Sequence, residues 1–265
     1  MTVAGPTDPE PRLLATAAGP VAVTEEGPSD AAAILCIHGL PGSTRDYRHL
    51  APRLAPRFRV VRLDMPGFGR SPASRIRTMR GWARIPAAVA DTLGLERYLV
   101  AGHSFGGGAA ILAAAGDAER VAGLLAIASV GAFRHRAYAW PPVAVRALLA
   151  GTWVPGLSGR LFGRALSEYR RIGLPLPMDI RELRRDVRLM ASLDFAGIGE
   201  AARRLRCPAV VAYALDDPVV EPSIARDLLE RLPSAVALEF PSGGHHIQKT
   251  RAGAIARAAA ERFSG

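Results

Sequence analysis

Short runs of apolar residues recur along the chain and predict buried β-strands. The runs are Ala31–Ile37, Arg59–Leu63, Tyr98–Ala101, Val121–Val130, Ala209–Leu215 and Ala235–Phe240. The first run is apolar throughout, as expected for a strand covered on both faces in a mainly parallel sheet. Segments with helical spacing lie between the runs, such as Trp82–Leu93. This alternation predicts right-handed βαβ units and a three-layer, doubly wound, mostly parallel α/β fold.

The rhythm of strands breaks between residues 133 and 206, a segment with several Arg-rich helical stretches. It is too long for a simple connection between two strands. We therefore predict a helical cap at residues 133–206, inserted into an α/β core formed by residues 13–132 and 207–265. The core is expected to open with a hairpin over Leu14–Thr24. Residues 1–12 contain three prolines among polar residues and are expected to form a flexible tail.

Composition and charge narrow the class of protein. The chain has 265 residues, 49% of them hydrophobic and 22% charged, which suits one large domain with a sizeable core. The formal net charge is +10, but Lys249 is the only lysine and asparagine is absent, a pattern typical of codon bias. The arginines are scattered rather than interleaved with aromatic residues. We therefore expect no nucleic-acid partner.

The cysteines and the N-terminus bear on the cellular compartment. Cys36 lies in an apolar run and Cys207 precedes a proline, and neither fits the spacing of a zinc site or a disulfide framework. Residues 1–11 lack the apolar stretch of a signal peptide, and no run approaches the length of a transmembrane helix. We expect a cytoplasmic protein without a membrane partner.

The sequence Gly-His-Ser-Phe-Gly at residues 102–106 lies between a predicted strand and a helix of small residues. A turn this tight favours residues without a Cβ two positions before and after the serine, where Gly102 and Gly106 stand. It places the Ser104 hydroxyl at the N-terminus of the helix, where free N–H groups favour a developing negative charge. We interpret Ser104 as a nucleophile. The alternative is a serine that only caps the helix.

A serine nucleophile needs a neighbouring base, and two of the six histidines follow the last predicted strand. These are His245 and His246, at the carboxyl edge of the sheet, which carries the site in open α/β folds. Gly243 and Gly244 give the loop freedom to turn an imidazole towards Ser104. We favour His245 as the general base. His246 is the alternative, or a residue that flanks the pocket.

The base in turn needs a carboxylate that fixes its tautomer and stabilises the imidazolium. Asp216 and Asp217 stand at the end of the preceding strand. The strand after the candidate nucleophile ends in Ser-Val-Gly at residues 129–131, without a carboxylate. We favour Asp217 as this acid. Asp216 is the alternative acid, or else a solvated turn residue or a loop cap.

Together these elements resemble the cap-bearing serine hydrolases of the α/β-hydrolase superfamily, over residues 30–262. Their chain order is nucleophile, acid, histidine, which Ser104, Asp217 and His245 follow. The sequence around Asp217 is similar to the superfamily's G-x-x-D-x-x-V stretch, with Ala214 in place of the glycine.

Two further motifs carry the resemblance. His-Gly-Leu-Pro-Gly at residues 38–42 resembles the superfamily's oxyanion loop, and residues 64–71 are similar to its D-x-P-G-x-G-x-S turn. The resemblance implies that the backbone N–H groups of Leu40 and Phe105 form the oxyanion hole. The turn is expected to be structural, and the histidines of the loop and of the nucleophile turn are expected to pack and to form hydrogen bonds.

The resemblance implies hydrolysis of a small-molecule acyl substrate, a small or medium apolar carboxylic ester, through an acyl-enzyme on Ser104. No metal or organic cofactor is expected. Relatives with the same three residues also cleave thioesters or carbon–carbon bonds or transfer acyl groups, so a diketone-type hydrolase, a thioesterase and an acyltransferase stay open. Dehalogenases and epoxide hydrolases of the superfamily use an Asp nucleophile, against which Ser104 argues.

A non-catalytic binding protein is the competing class, and the filled Ser, Asp and His positions argue against it. The substrate pocket is expected to lie under the cap. Its candidate wall residues are Phe133, Tyr138, Trp140, Trp153 and His246.

Overall fold

An eight-stranded sheet organises the structure, a computed structural model that describes residues 8–134, 136, 147, 149–154, 156–171 and 176–263. The strands are β1 (Arg12–Thr16), β2 (Gly19–Glu26), β3 (Ala33–Ile37), β4 (Arg59–Asp64), β5 (Tyr98–His103), β6 (Val121–Ile127), β7 (Ala209–Ala214) and β8 (Ala235–Phe240). Their order across the sheet is β1-β2-β4-β3-β5-β6-β7-β8. The pairs β1-β2 and β2-β4 are antiparallel, and all other neighbouring pairs are parallel. The mostly parallel sheet and its opening hairpin are therefore confirmed.

Helices cover both faces of this sheet. In the described part of the chain they are α1 (Ala51–Leu54), α2 (Met79–Trp82), α3 (Ile85–Thr92), α4 (Phe105–Gly116), α5 (Leu157–Arg171), α6 (Ile180–Met190), α7 (Phe195–Arg204), α8 (Pro222–Arg231), α9 (Ile247–Thr250) and α10 (Ala252–Phe263), with a 3-10 helix at Thr44–Tyr47. The helix predicted over Trp82–Leu93 divides into two, because Pro86 stands in the first turn of α3, where its missing N–H has no helical partner to lose.

Two apolar layers lie on opposite faces of the sheet, because successive residues of a strand point to opposite sides. In β3, Leu35 and Ile37 pack into one layer, whereas Ile34 and Cys36 pack into the other. The first layer is covered by α2, α3, α4, α7 and α8, and the second by α1, α9 and α10. Burial on both faces explains why the sequence of β3 is apolar throughout.

The helices of the predicted cap, residues 133–206, divide between two parts of the structure. α5 and α6 pack on each other through a small separate cluster that includes Tyr169 and Leu183. α7 instead packs against α4, and its Ile198 and Ala202 belong to the main core. α7 thus contacts both parts, since its first residue, Phe195, packs against the cluster of α5 and α6. The bounds of the cap stay a prediction.

Part of the predicted flexible tail, residues 1–12, contacts the core. Arg62 in β4 is only 1% exposed, and its guanidinium forms ion pairs of 2.7 Å with both Asp8 and Glu26. A buried guanidinium needs such carboxylates, and this requirement holds Asp8 to the core. Residues 8–12 are thus part of the fold, with Arg12 beginning β1, while residues 1–7 lie outside the described residues.

Candidate active site

Ser104 occupies a sharp turn between β5 and α4 at the carboxyl edge of the sheet. Its φ of 55° and ψ of −120° are strained for a residue with a side chain. A Cβ on Gly102 would lie 2.2 Å from the carbonyl oxygen of Gly106, and one on Gly106 would lie 2.3 Å from that of His38. The turn therefore requires both glycines. The Ser104 side chain makes no capping hydrogen bond to α4, which argues against the capping alternative.

Two hydrogen bonds join three side chains that are far apart in the sequence. Ser104 Oγ lies 2.9 Å from His245 Nε2, and His245 Nδ1 lies 2.9 Å from Asp217 Oδ2. The three residues are 8%, 5% and 4% exposed, respectively. Because a carboxylate accepts the proton of Nδ1, Nε2 is the unprotonated nitrogen that faces the hydroxyl. This tautomer is able to accept a proton from Ser104.

The adjacent aspartates at the end of β7 have different partners. Asp217 uses Oδ2 for His245, while its Oδ1 accepts two backbone N–H groups of the following turn at 2.7 and 3.0 Å. Asp216 Oδ1 accepts the backbone N–H groups of Gly243 and Gly244 at 2.9 and 2.8 Å. Asp216 therefore binds the loop that carries His245, as a loop cap does, and Asp217 binds its imidazole.

Three histidines cluster behind the Ser104 hydroxyl. His103 Nε2 lies 2.9 Å from the main-chain carbonyl oxygen of His245, and burial keeps the pKa of His103 well below its ordinary value. The ring of His246 lies 5.3 Å from that of His103 and 5.5 Å from that of His245. Burial, with the Lys249 charge adding to it, lowers the pKa of His246 to about 4. It is His245 that contacts Ser104, and His246 packs beside it.

The loop after β3 lies against the serine. A Cβ on Gly39 would be 3.4 Å from the Ser104 Cβ. His38 fixes this loop, because its Nδ1 donates to the Gly39 carbonyl at 2.6 Å while Nε2 accepts the first backbone N–H after β4 at 3.0 Å. Burial lowers the pKa of His38, so the ring is held in this neutral tautomer. The packing and hydrogen bonding expected of the loop histidine are thus observed.

One predicted oxyanion donor lies in the loop after β3, and the other lies in the nucleophile turn. Leu40 follows Gly39 in the loop, and Phe105 is the first residue of α4, where helical N–H groups have no helical partner. Within the described part of the chain, neither amide donates a hydrogen bond to another protein group. Both N–H groups are therefore available to a ligand, and their role in an oxyanion hole stays a prediction.

A row of aromatic rings in edge-to-face contact connects the site to the cap helix α6. The Phe105 ring lies 5.1 Å from that of Trp82, which lies 5.4 Å from that of Phe68. The Arg185 guanidinium lies 3.7 Å above the Phe68 ring and donates a hydrogen bond to the carbonyl of Gly67. The cap is thus fastened to the turn at residues 64–71, which supports the structural role expected of that turn.

Comparison with known proteins shows to which family the chain belongs. The profile of the Alpha/beta hydrolase family matches residues 34–258. The chain belongs to the alpha/beta hydrolase family. It is 30% identical over 255 residues to a protein named as a carbamate hydrolase, RutD, of Caulobacter sp. strain K31, covering 89% of this chain and 92% of that one. The pimeloyl-[acyl-carrier protein] methyl ester esterase of Chromobacterium violaceum is 31% identical over 230 residues, covering 80% and 86%.

Other members differ in their chemistry. Haloalkane dehalogenase 2 of Mycobacterium bovis is 28% identical over 279 residues, covering 96% of this chain and 95% of that protein. The solved structure of an enol-lactonase from Burkholderia xenovorans LB400 has a TM-score of 0.76 and covers 96% of this chain and 100% of that one, but at 20% identity it shows the fold alone. Since the named relatives are hydrolases, this alpha/beta hydrolase is one as well, and its substrate is not fixed by them.

The predicted pocket residues of the cap in this alpha/beta hydrolase are less clearly connected to the site than Ser104, His245 and Asp217, which are joined by hydrogen bonds. Trp153 is 63% exposed, with the Arg184 guanidinium 3.8 Å from its ring, in a groove whose lining does not include Ser104. Phe133 is 40% exposed, and its contact with substrate stays a prediction. Tyr138 and Trp140 lie outside the described residues.

The contact between the cap and the core was not predicted from the sequence. Arg185 makes this contact, but nothing in the sequence distinguishes this arginine from the many others.

Among the described residues, no group of three His, Cys, Asp or Glu side chains is arranged to hold a metal ion. Every helix in the same part of the chain is too short or too polar to cross a membrane.

Proposed function

We propose that this hydrolase cleaves small or medium apolar carboxylic esters through an acyl-enzyme on Ser104. The observation that carries the proposal is the hydrogen-bonded chain from Ser104 Oγ through His245 to Asp217, with 2.9 Å at each link. A serine hydroxyl is a weak nucleophile by itself and is activated by a base oriented by a carboxylate. The order of the three groups along the hydrogen-bonded chain meets this requirement.

Acylation begins when Ser104 Oγ attacks the ester carbonyl carbon and His245 Nε2 takes the hydroxyl proton. The Asp217 carboxylate, hydrogen-bonded to Nδ1, stabilises the resulting imidazolium. The carbonyl oxygen becomes an oxyanion, held by the N–H groups of Leu40 and Phe105, each of which typically contributes about 3 kcal/mol. When the tetrahedral intermediate collapses, the bond to the alcohol breaks and His245 donates its proton to the departing oxygen.

Deacylation repeats these steps with water. His245 Nε2 removes a proton from a water molecule, whose oxygen attacks the acyl carbon. The second oxyanion is held by the same two N–H groups, and its collapse releases the carboxylic acid and returns the proton to Ser104. Ser104, His245 and Asp217 thus end each cycle in their initial protonation states.

The choice of an ester rests on two supports. Two bacterial relatives, at 31% and 30% identity, are named as a methyl ester esterase and a carbamate hydrolase, and both names denote cleavage beside a carbonyl. Leu40 and Phe105, the two predicted oxyanion donors, have buried apolar side chains, which favour an apolar acyl group. Cleavage of a carbon–halogen bond is not proposed, because the superfamily's dehalogenases place an Asp where Ser104 stands.

A fluorophosphonate probe tests the nucleophile directly, since it reacts covalently with activated serines. We expect wild type to be labelled at Ser104, Ser104→Ala to show no label, and His245→Ala to be labelled far more slowly. The exposed Ser167→Ala serves as a control that keeps wild-type labelling. Labelling of Ser104→Ala at the wild-type rate would contradict the mechanism.

A substrate panel tests the bond that is cleaved. p-Nitrophenyl esters of increasing acyl length, thioesters and a dienoic ketone are compared by kcat/KM. We expect the esters to be the best substrates. Preferential turnover of the ketone would instead assign carbon–carbon bond hydrolysis with the same three residues, and ligand binding without turnover, unchanged in His245→Ala, would assign a binding protein.

A further inference from the structure

A groove of about 360 Å³ lies between the cap helix α6 and the loop that follows β4. We call it the arginine groove. Its charged lining residues are Arg77, Arg181, Glu182, Arg184, Arg185 and Arg188. Five guanidinium groups therefore face one carboxylate within a volume suited to a small molecule, since such sites typically measure about 300–1,000 Å³.

The spacing of the cap arginines concentrates this charge. Arg181, Arg184, Arg185 and Arg188 recur at intervals of three and four residues, so they share one face of α6. Like charges at this spacing repel one another, which destabilises the helix unless counter-charges neutralise them. Lining a concave surface with them raises the local concentration of anions.

Three of the five arginines are engaged by groups of the protein. The partners are Asp179 for Arg181, Thr152 for Arg184, and Gly67 with Asp186 for Arg185. The side chains of Arg77 and Arg188 have neither a hydrogen bond nor an ion pair within the described part of the chain. One belongs to the core loop and the other to the cap helix, so two guanidinium groups with free donors line opposite walls of the groove.

We propose that the arginine groove binds the phosphate or diphosphate group of a small phosphorylated molecule between Arg77 and Arg188. The planar guanidinium fork donates two parallel hydrogen bonds to phosphate oxygens, and two arginines on opposite walls match a multiply charged anion. Ile76 and Leu189 line the same groove and supply an apolar surface for the organic part of the molecule. A groove of about 360 Å³ suits a small molecule better than a nucleic-acid strand.

The site is separate from the ester chemistry. Ser104, Asp217 and His245 do not line the groove, so binding there does not require the proposed acyl-enzyme. A ligand held by Arg77 and Arg188 would bridge core and cap, and it would stabilise the folded protein by mass action. The two proposals can therefore fail independently.

Isothermal titration calorimetry with inorganic pyrophosphate tests the site in the full-length protein. We expect saturable binding at one site per chain, with Kd raised at least about tenfold by Arg77→Gln and by Arg188→Gln, which corresponds to about 1.4 kcal/mol or more for each. Arg164→Gln is the matched control, because it removes the same charge from an exposed position on α5, outside the groove. Ser104→Ala is expected to bind pyrophosphate as wild type does.

Unfolding curves of each variant without ligand establish that the fold is intact. Pyrophosphate is expected to raise the unfolding midpoint of wild type, Arg164→Gln and Ser104→Ala, and to raise it less for Arg77→Gln and Arg188→Gln. The proposal is overturned if wild type shows no saturable binding, or if Arg164→Gln weakens binding as much as Arg188→Gln does. Tighter binding of malonate than of pyrophosphate would overturn the phosphate class. Binding of a single-stranded oligonucleotide with all arginine variants affected alike would show a general attraction to the basic surface instead.

Discussion

His103 Nε2 donates a hydrogen bond to the main-chain carbonyl oxygen of His245, across 2.9 Å. Because a carbonyl oxygen only accepts, His103 carries its proton on Nε2. Burial keeps the pKa of His103 well below its ordinary value, so the ring is neutral at physiological pH. Two consecutive residues therefore contact His245. His103 is hydrogen-bonded to its backbone, and the hydroxyl of Ser104 is hydrogen-bonded to its imidazole.

This relationship predicts that His103 positions the base without touching the substrate. His103→Leu keeps most of the buried volume but removes the donor, so the His245 imidazole is less well aligned with Ser104. We expect kcat to fall about 10- to 100-fold with little change in KM, as misplacement of a catalytic group typically does. Ester hydrolysis assays measure both constants. His49→Leu, at an exposed histidine, is the control, and an unchanged kcat in His103→Leu would contradict the role.

The two adjacent aspartates predict a contrast between substitutions. Asp217→Asn alters the group that fixes the His245 tautomer, and kcat is expected to fall about 10⁴-fold, as such changes do in other serine hydrolases. Asp216→Asn keeps an oxygen that accepts the loop N–H groups of Gly243 and Gly244, so its kcat should stay near wild type. Asp216→Ala removes that acceptor and is expected to lower kcat about tenfold.

Steady-state kinetics of the three variants on one ester measures this contrast. The decisive comparison is between kcat of Asp216→Asn and kcat of Asp216→Ala. If the charge of Asp216 were required, both variants would be equally impaired. A larger loss in Asp216→Asn than in Asp217→Asn would reverse the assignment of the acid.

The sequence predicted most of the sheet because each central strand is buried on both faces. A strand buried in this way consists of consecutive apolar residues, which are visible in the sequence. It also predicted which edge carries Ser104, Asp217 and His245, since parallel strands share a carboxyl end. The position of α7 was not predictable, because an apolar helical stripe does not specify whether it packs on the core or on the cap. The contact of Arg185 with Phe68 and Gly67 was not predictable either, since the residues around Arg185 in the sequence do not indicate its partner.

The nucleophile turn predicts different outcomes for two glycines of the same helix. A Cβ on Gly106 would lie 2.3 Å from a backbone oxygen of His38, whereas nothing lies within 4 Å of a Cβ on Gly116. We expect Gly106→Ala to lower the free energy of unfolding by about 2–4 kcal/mol and to reduce fluorophosphonate labelling of Ser104. Gly116→Ala should be neutral or stabilising by up to about 1 kcal/mol. Urea unfolding measures both, and equal stability of the two variants would contradict the steric origin of the turn.

The cap contains a carboxylate whose burial makes stability depend on pH. Asp186 is completely buried in α6, and burial raises its pKa from 3.8 to about 6, although the Arg185 guanidinium opposes the shift. The folded protein therefore binds this proton more tightly than the unfolded chain does. Stability from this group is greatest below about pH 4 and is lost as the pH rises to about 6.

Asp186→Asn removes the titration while keeping the size of the side chain and an oxygen for Arg185. Relative to the wild type, we expect the variant to gain stability as the pH rises from 4 to 7, by an amount on the order of 2–3 kcal/mol. Urea unfolding across this range, together with hydrogen exchange of α6 amides, measures the gain and locates it in the cap. Asp30→Asn, at an exposed carboxylate, is the control and should run parallel to the wild type. A difference between Asp186→Asn and wild type that does not change with pH would show that the buried carboxylate does not titrate in this range.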